Sequence, residues 1–166
     1  MLKSSVHNKK IDQENQMQNG LKRINKKELG DLKIILLSEG LPVQTIGSAP
    51  ISFFSINAEN GAPLGWGGIE IYNDAGVLRS VVIKNALRGM GSGKKLVKAL
   101  INEARDLGLK KLWLLTINAE TFFSRLGFQH AIRSEAPKAI QQCEEFTWGY
   151  NDTAHCMCLK LKPACE

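Results

Sequence analysis

One hexapeptide, Arg88-Gly89-Met90-Gly91-Ser92-Gly93, constrains this chain more than any other stretch. It sits between a run of β-formers (VLRSVVI) and a long amphipathic segment, with Lys94 and Lys95 directly after it. Three glycines let a backbone approach a ligand closely, and the start of the following helix offers unpaired N–H groups and the positive end of its dipole. That combination suits phosphate. Two familiar phosphate loops do not fit. A Walker loop requires glycine where this chain has Arg88, and Ser or Thr where it has Lys95. A dinucleotide fingerprint begun at Gly89 ends on Lys94, and one begun at Gly91 ends on Leu96.

The elements around the loop follow from periodicity. Asn25 with Glu28 three residues later has the form of a capping box. Leu29, Leu32, Ile35 and Leu36 then recur at helical spacing until Gly40, ahead of Pro42. A short strand over 21–24 precedes that helix, and residues 43–48 are expected to add a helical turn. Strands are expected over 51–57, 63–72 and 77–83, joined by turns at Asn60-Gly61 and over residues 73–76. After the glycine loop, Leu96, Val97, Leu100, Ile101, Ala104 and Leu107 form one apolar stripe closed by Gly108. LWLL at 112–115 reads as a strand buried on both faces. A helix over 119–126 and strands over 128–133 and 154–161 complete one α/β (α+β) domain with a mixed sheet.

The 166 residues leave room for one domain, expected over 21–166. The net charge of +6 would ordinarily raise nucleic acid or an anionic membrane as a partner. Yet residues 1–27 hold seven basic and two acidic side chains, so the rest of the chain is nearly neutral. Residues 1–20 are polar and aperiodic and read as a disordered basic extension. The expectation is therefore no nucleic-acid partner and no membrane. No apolar segment follows the early lysines in the manner of a secretory signal, which favours the cytoplasm. Cys143, Cys156, Cys158 and Cys165 are read as reduced thiols, and His7, His130 and His155 as scattered, with no metal site.

The stretch that fails both phosphate fingerprints matches R-x-x-G-x-G, which resembles the acyl-CoA loop of the GNAT superfamily of N-acyltransferases. The likeness extends over most of residues 21–161, through LRSVVIKNAL, GSGKKLVKALINEARDLGL, KKLWLLT and FFSRLGF. It implies a mixed, mostly antiparallel sheet flanked by helices, whose middle strands splay apart to admit acetyl-CoA. Backbone groups of Gly89, Met90, Gly91, Ser92, Gly93 and Lys94 would hold the pyrophosphate, with Arg88 nearby. Lys94, Lys95 and Lys98 would pair with phosphate oxygens or simply form a solvated helix face. Val81, Val82 and Ile83 would lend backbone groups to the pantetheine arm. Asn118 would hold that arm or cap the helix after it. Within the superfamily, GGIEIY, FFSRLGF and A-I-x-x-x-x-E-F look like small N-acetyltransferases encoded with arsenic-resistance genes, and like amino-acid N-acetyltransferases. The likeness departs after Phe146, where Thr147-Trp148-Gly149-Tyr150 stands in place of the group's Leu-Cys-Pro.

The chemistry implied is direct acetyl transfer to the amine of a small molecule, an amino acid or analogue. A backbone N–H at Val82 would receive the oxyanion. Glu70 would act as general base through water, the other reading being an exposed carboxylate at a strand end. Glu120 stands in reserve, although a place in a helix's first turn already accounts for it. Arg79 would pair with a substrate carboxylate, or with Glu70 across the strands. Phe123 lines the cofactor side where many members carry tyrosine, so the thiolate's proton would come from water, the product ammonium or Tyr150. That departure keeps a second class open, an acyl-CoA-binding module without turnover. A homodimer is compatible with either.

Overall fold

The computed structural model describes residues 20–47, 50–149 and 152–163. The basic extension before Gly20 and the alternative acid Tyr150 lie outside them. Seven strands form one sheet: β1 (Leu21–Arg23), β2 (Ile51–Asn57), β3 (Pro63–Tyr72), β4 (Ala75–Ile83), β5 (Lys111–Thr116), β6 (Gln129–His130) and β7 (His155–Lys160). Their order is β1-β2-β3-β4-β5-β7-β6. Every neighbouring pair is antiparallel except β4 and β5, which run parallel.

Helix α1 (Lys26–Ser38) starts as its capping box dictates. Asn25 Oδ1 accepts from the amides of Lys27 and Glu28, and Glu28 Oε2 accepts from the Asn25 amide at 2.8 Å. Helix α2 (Ser92–Asp106) buries Leu96, Val97, Ala99, Leu100, Ile101 and Ala104. It lies directly on the β3 backbone: a Cβ at Gly67 would stand 2.5 Å from Leu100 Cδ1. The Gly-rich start of GGIEIY thus serves close approach of a helix to a sheet. Two short helices follow, α3 (Glu120–Ser124) and α4 (Lys138–Gln141), and then a helical turn over Glu145–Gly149. One apolar core lies between α2 and the sheet. A second gathers Val77, Trp113, Ile140 and Phe146, and a third packs α1 onto Phe53, Trp66 and Val82.

Several boundaries differ from the sequence reading. The turn after β3 is only Asn73-Asp74, because Tyr72 pairs with Ala75 and the strand resumes at once. Asn73 takes the left-handed conformation, φ 54°, that such a tight turn requires. Residues 44–47 form turns, not a helix. The strand expected over 128–133 shrinks to Gln129–His130, paired with Cys158 and Met157, and beyond it the Ala131 amide donates to Cys156 O at 2.9 Å.

Candidate active site

The parallel pair opens the molecule. Strands β4 and β5 match only at Ala75–Lys111, Gly76–Leu112 and Val77–Trp113. Beyond Val77 they diverge, leaving one edge of β4 without a strand partner among the described residues. A bulge sharpens the divergence: the β3–β4 register slips between Trp66 and Gly68, and Ser80 is left-handed at φ 56°. The gap is a cleft of about 590 Å³. Its walls include Val81, Val82 and Ile83 of β4, Leu114 to Thr116 of β5, and Asn118, Phe122 and Phe123 beyond.

Backbone parity decides what β4 offers to the cleft. The Lys84 amide donates to Leu64 O at 3.0 Å, and Val82 pairs with Trp66 two residues earlier. The Val82 amide therefore points to β3, whereas the Ile83 amide and the Val81 carbonyl point into the cleft. This corrects the expectation of an oxyanion donor at Val82, whose N–H is committed to the sheet. Ile83 O also faces this side and accepts from Arg88 Nε at 3.0 Å.

At the cleft's upper end, Gly91 caps α2 in the left-handed conformation, φ 84°, and Gly89 is left-handed at φ 79°. Nothing crowds either position, so it is backbone conformation that demands glycine there. The amides of Ser92, Gly93 and Lys94 open the helix and lack acceptors within it. Gly93 lines the cleft, and Met90 stands exposed at the loop tip. Arg88 anchors the loop by pairing with Glu39 at 2.8 Å as well as Ile83 O. Lys94 and Lys98 turn away, lining a separate basic groove with Arg105 and Arg125.

At the other end lies a buried charge cluster. The Arg79 guanidinium, fully buried, contacts Glu70 at 3.1 Å, Glu144 at 3.0 Å and Glu145 at 3.1 Å. It also donates to Pro42 O at 3.3 Å, while Tyr72 Oη donates to Glu70. Arg79 and Glu70 thus form the cross-strand pair weighed from sequence, and the exposed-carboxylate reading of Glu70 does not hold. Glu70 lines neither this cleft nor the cavity beside it. Glu145 does line the cleft, and burial pushes its carboxyl up to about 7 against the pull of Arg79. Burial also opposes ionisation of Glu144, but hydrogen bonds from Thr45 and Arg79 bring its value below the ordinary range. The sequence reading missed both. Glu145 is the glutamate of the A-I-x-x-x-x-E-F motif, the one signal that could have found it.

Glu144 faces a second cavity of about 760 Å³, lined by Leu37, Pro42, Gln44, Thr45 and Thr147 among others. Gly40 and Leu41 line both hollows, which adjoin there. Asn118 is exposed on the cleft and does not cap α3. Ala119 takes that position, and its amide donates to Thr116 Oγ1 at 3.1 Å. Phe123 is buried, edge-on to Phe122 and Phe128. Glu120 lies apart with His130 at 2.6 Å and His155 at 3.2 Å, so those two histidines are not scattered but converge on one carboxylate.

Residues 29–128 match the acetyltransferase (GNAT) family model. The amino-acid acetyltransferase of Mycobacterium tuberculosis is 38% identical over 69 residues, 41% of this chain and 39% of that protein. The enzyme of the same name from Ralstonia nicotianae is 31% identical over 90 residues, 53% of this chain and 20% of that one. The chain thus aligns with less than half the length of either relative. Among solved structures, N-acetylglutamate synthase from Neisseria gonorrhoeae, complexed with coenzyme A and N-acetyl-glutamate, superposes with a TM-score of 0.67. That match covers 86% of this chain and 35% of that one at 18% identity, a likeness of fold. A Mycobacterium tuberculosis protein complexed with coenzyme A also gives 0.67, at 21% identity, covering 86% of this chain and 99% of its own. By the length of the matched segment, with the splayed strands and the glycine loop inside it, the chain belongs to the acetyltransferase (GNAT) family.

Proposed function

We propose that this domain transfers the acetyl group of acetyl-CoA directly to the amine of a small molecule. The observation that carries the reading is one continuous cleft with a phosphate-suited helix start at one end and an ionisable carboxyl, Glu145, at the other. The residues present fit the cosubstrate. Amides of Ser92 to Lys94 would hold the pyrophosphate, with Arg88 fixing the loop. The Ile83 amide and Val81 carbonyl would pair with the pantetheine amides as a strand partner would. Acetyl-CoA supplies the activated thioester: the amine's N–C bond forms as the C–S bond breaks, and the amine gives up a proton. Glu145, at the edge of the cleft, receives that proton. Glu70 positions Arg79, which holds Glu145 in place at 3.1 Å. Amides at the Ser80 bulge, where strand alternation breaks, are the donors for the developing oxyanion. The cavity beside Glu144 receives the acceptor. Relatives named amino-acid acetyltransferase support a small amine-bearing acceptor, an amino acid or analogue.

Phe123 favours the second reading, an acyl-CoA binder without turnover, because it has no proton to give a departing thiolate. Release of free thiol from acetyl-CoA across an amine panel separates the two. Turnover that falls at least a hundredfold in Glu145→Gln supports the transferase. Coenzyme A binding without thiol release for any amine would leave the binder.

A further inference from the structure

The acceptor cavity has a charge that the family resemblance does not supply. Among the described residues lining it, Glu144 is the only ionisable side chain. Its Oε2 takes hydrogen bonds from Thr45 and Arg79, while Oε1, buried, has no hydrogen-bond partner. A buried carboxylate oxygen without a donor costs free energy unless a ligand supplies one. Behind it the balance stays negative: Glu70, Glu144 and Glu145 face one guanidinium. A protonated Glu145 still leaves two carboxylates against one cation. Arg79 is fully buried and committed to all three, and the described residues lining the cavity include no cationic side chain to meet a substrate carboxylate.

We propose that this cavity takes an acceptor carrying a second cationic group besides the amine that is acetylated, a diamine or a guanidino-amine, and that Glu144 Oε1 receives that group. The inference rests on the transferase reading above and names the substrate class of the same site. The second cation supplies the donor that Oε1 lacks and offsets the excess negative charge of the cluster. An acceptor bearing a carboxylate at that place would meet Glu144 with like charge.

The test uses a matched series of acceptors: 1,4-diaminobutane, butylamine and 4-aminobutanoate, with three- and five-carbon analogues of each. Thiol release should give the diamines a kcat/KM at least tenfold above the monoamines, and the ω-amino acids the lowest values. In Glu144→Gln the ratio of diamine to monoamine kcat/KM should shrink to less than threefold, the loss appearing in KM for the diamines. Calorimetric titration of 1,4-diaminobutane into the complex of the unsubstituted protein with coenzyme A reads the cavity without turnover. Saturable binding that 4-aminobutanoate does not compete for supports the proposal even where no acetyl transfer occurs, in which case the transferase reading alone fails. Preference for the ω-amino acids, or equal use of all three series, would overturn the cationic acceptor while leaving the transferase standing. Absence of diamine binding together with absence of diamine turnover would overturn it as well.

Discussion

Replacing Arg79 by methionine tests whether the cluster between the two cavities is as charged and as dry as its geometry states. The guanidinium is fully buried and contacts three carboxylates whose own exposure is 5% or less. Without it, two of the three carboxyls must take up a proton, since buried like charges at this spacing cannot all remain ionised. At pH 7, protonating a carboxyl of ordinary value near 4.5 costs about 3.4 kcal/mol, and because Glu145, near 7, already bears about 3 kcal/mol of that in the unsubstituted protein, the variant loses about 4 kcal/mol. A domain of this size is stable by roughly 5–15 kcal/mol, so the variant should lose a large share of its stability at neutral pH. The sign with pH follows. The variant's native state would bind two more protons than its unfolded state above pH 4.5, so its stability should rise by about 2.7 kcal/mol for each unit of acidification from pH 7.5 to 5.5. Urea unfolding followed by fluorescence of the buried Trp66 and Trp113 measures this directly. A variant within 1 kcal/mol of the parent at pH 7, with the parent's pH slope, would refute the reasoning: the carboxylates would then be hydrated.

Glu145 gives a related but smaller effect in the unsubstituted protein. Its carboxyl stands near 7 when folded and near 4.5 when unfolded, so stability should fall as pH rises between those values, by about 1.4 kcal/mol per unit. Glu145→Gln should remove that slope and also the ascending limb of kcat near pH 7 at saturating acceptor. Gly91→Ala forces a left-handed alanine at φ 84° and should cost roughly 1–2 kcal/mol of stability and loosen coenzyme A in calorimetric titration. Gly93→Ala, at an ordinary helical φ with only a 3.6 Å contact to Phe122, should leave stability unchanged or raised by up to about 1 kcal/mol. Phe123→Tyr should raise kcat by less than about tenfold, because the thiolate is already a good leaving group; a gain of orders of magnitude in steady-state thiol release would show that the missing acid limits the rate.

What the sequence revealed and what it concealed differ in range. Local patterns read correctly because short-range physics fixes them. Asn25 and Glu28 cap α1 through bonds three residues apart, and the stripe from Leu96 to Ala104 buries one face of α2. The glycine loop was legible for the same reason, since Gly89 and Gly91 are demanded by backbone torsions that belong to those residues alone. The charge cluster was not. Glu70 and Arg79 are nine residues apart on paired strands, so their contact could at least be weighed, but Glu144 lies 65 residues beyond Arg79. Thr45, which bonds to Glu144, is 99 residues before it. No period or spacing links such positions; only the return of the helical turn at 145–149 against β4 does. Glu120, His130 and His155 met by the same route, through the β6–β7 pairing. The consequence reaches function. Arg79, read alone, is balanced between a substrate carboxylate and Glu70, whereas with its partners in place it is the minority charge of an acidic cluster. The sign of the charge at this end of the cleft is therefore a property of the tertiary structure, set by contacts that no local spacing encodes.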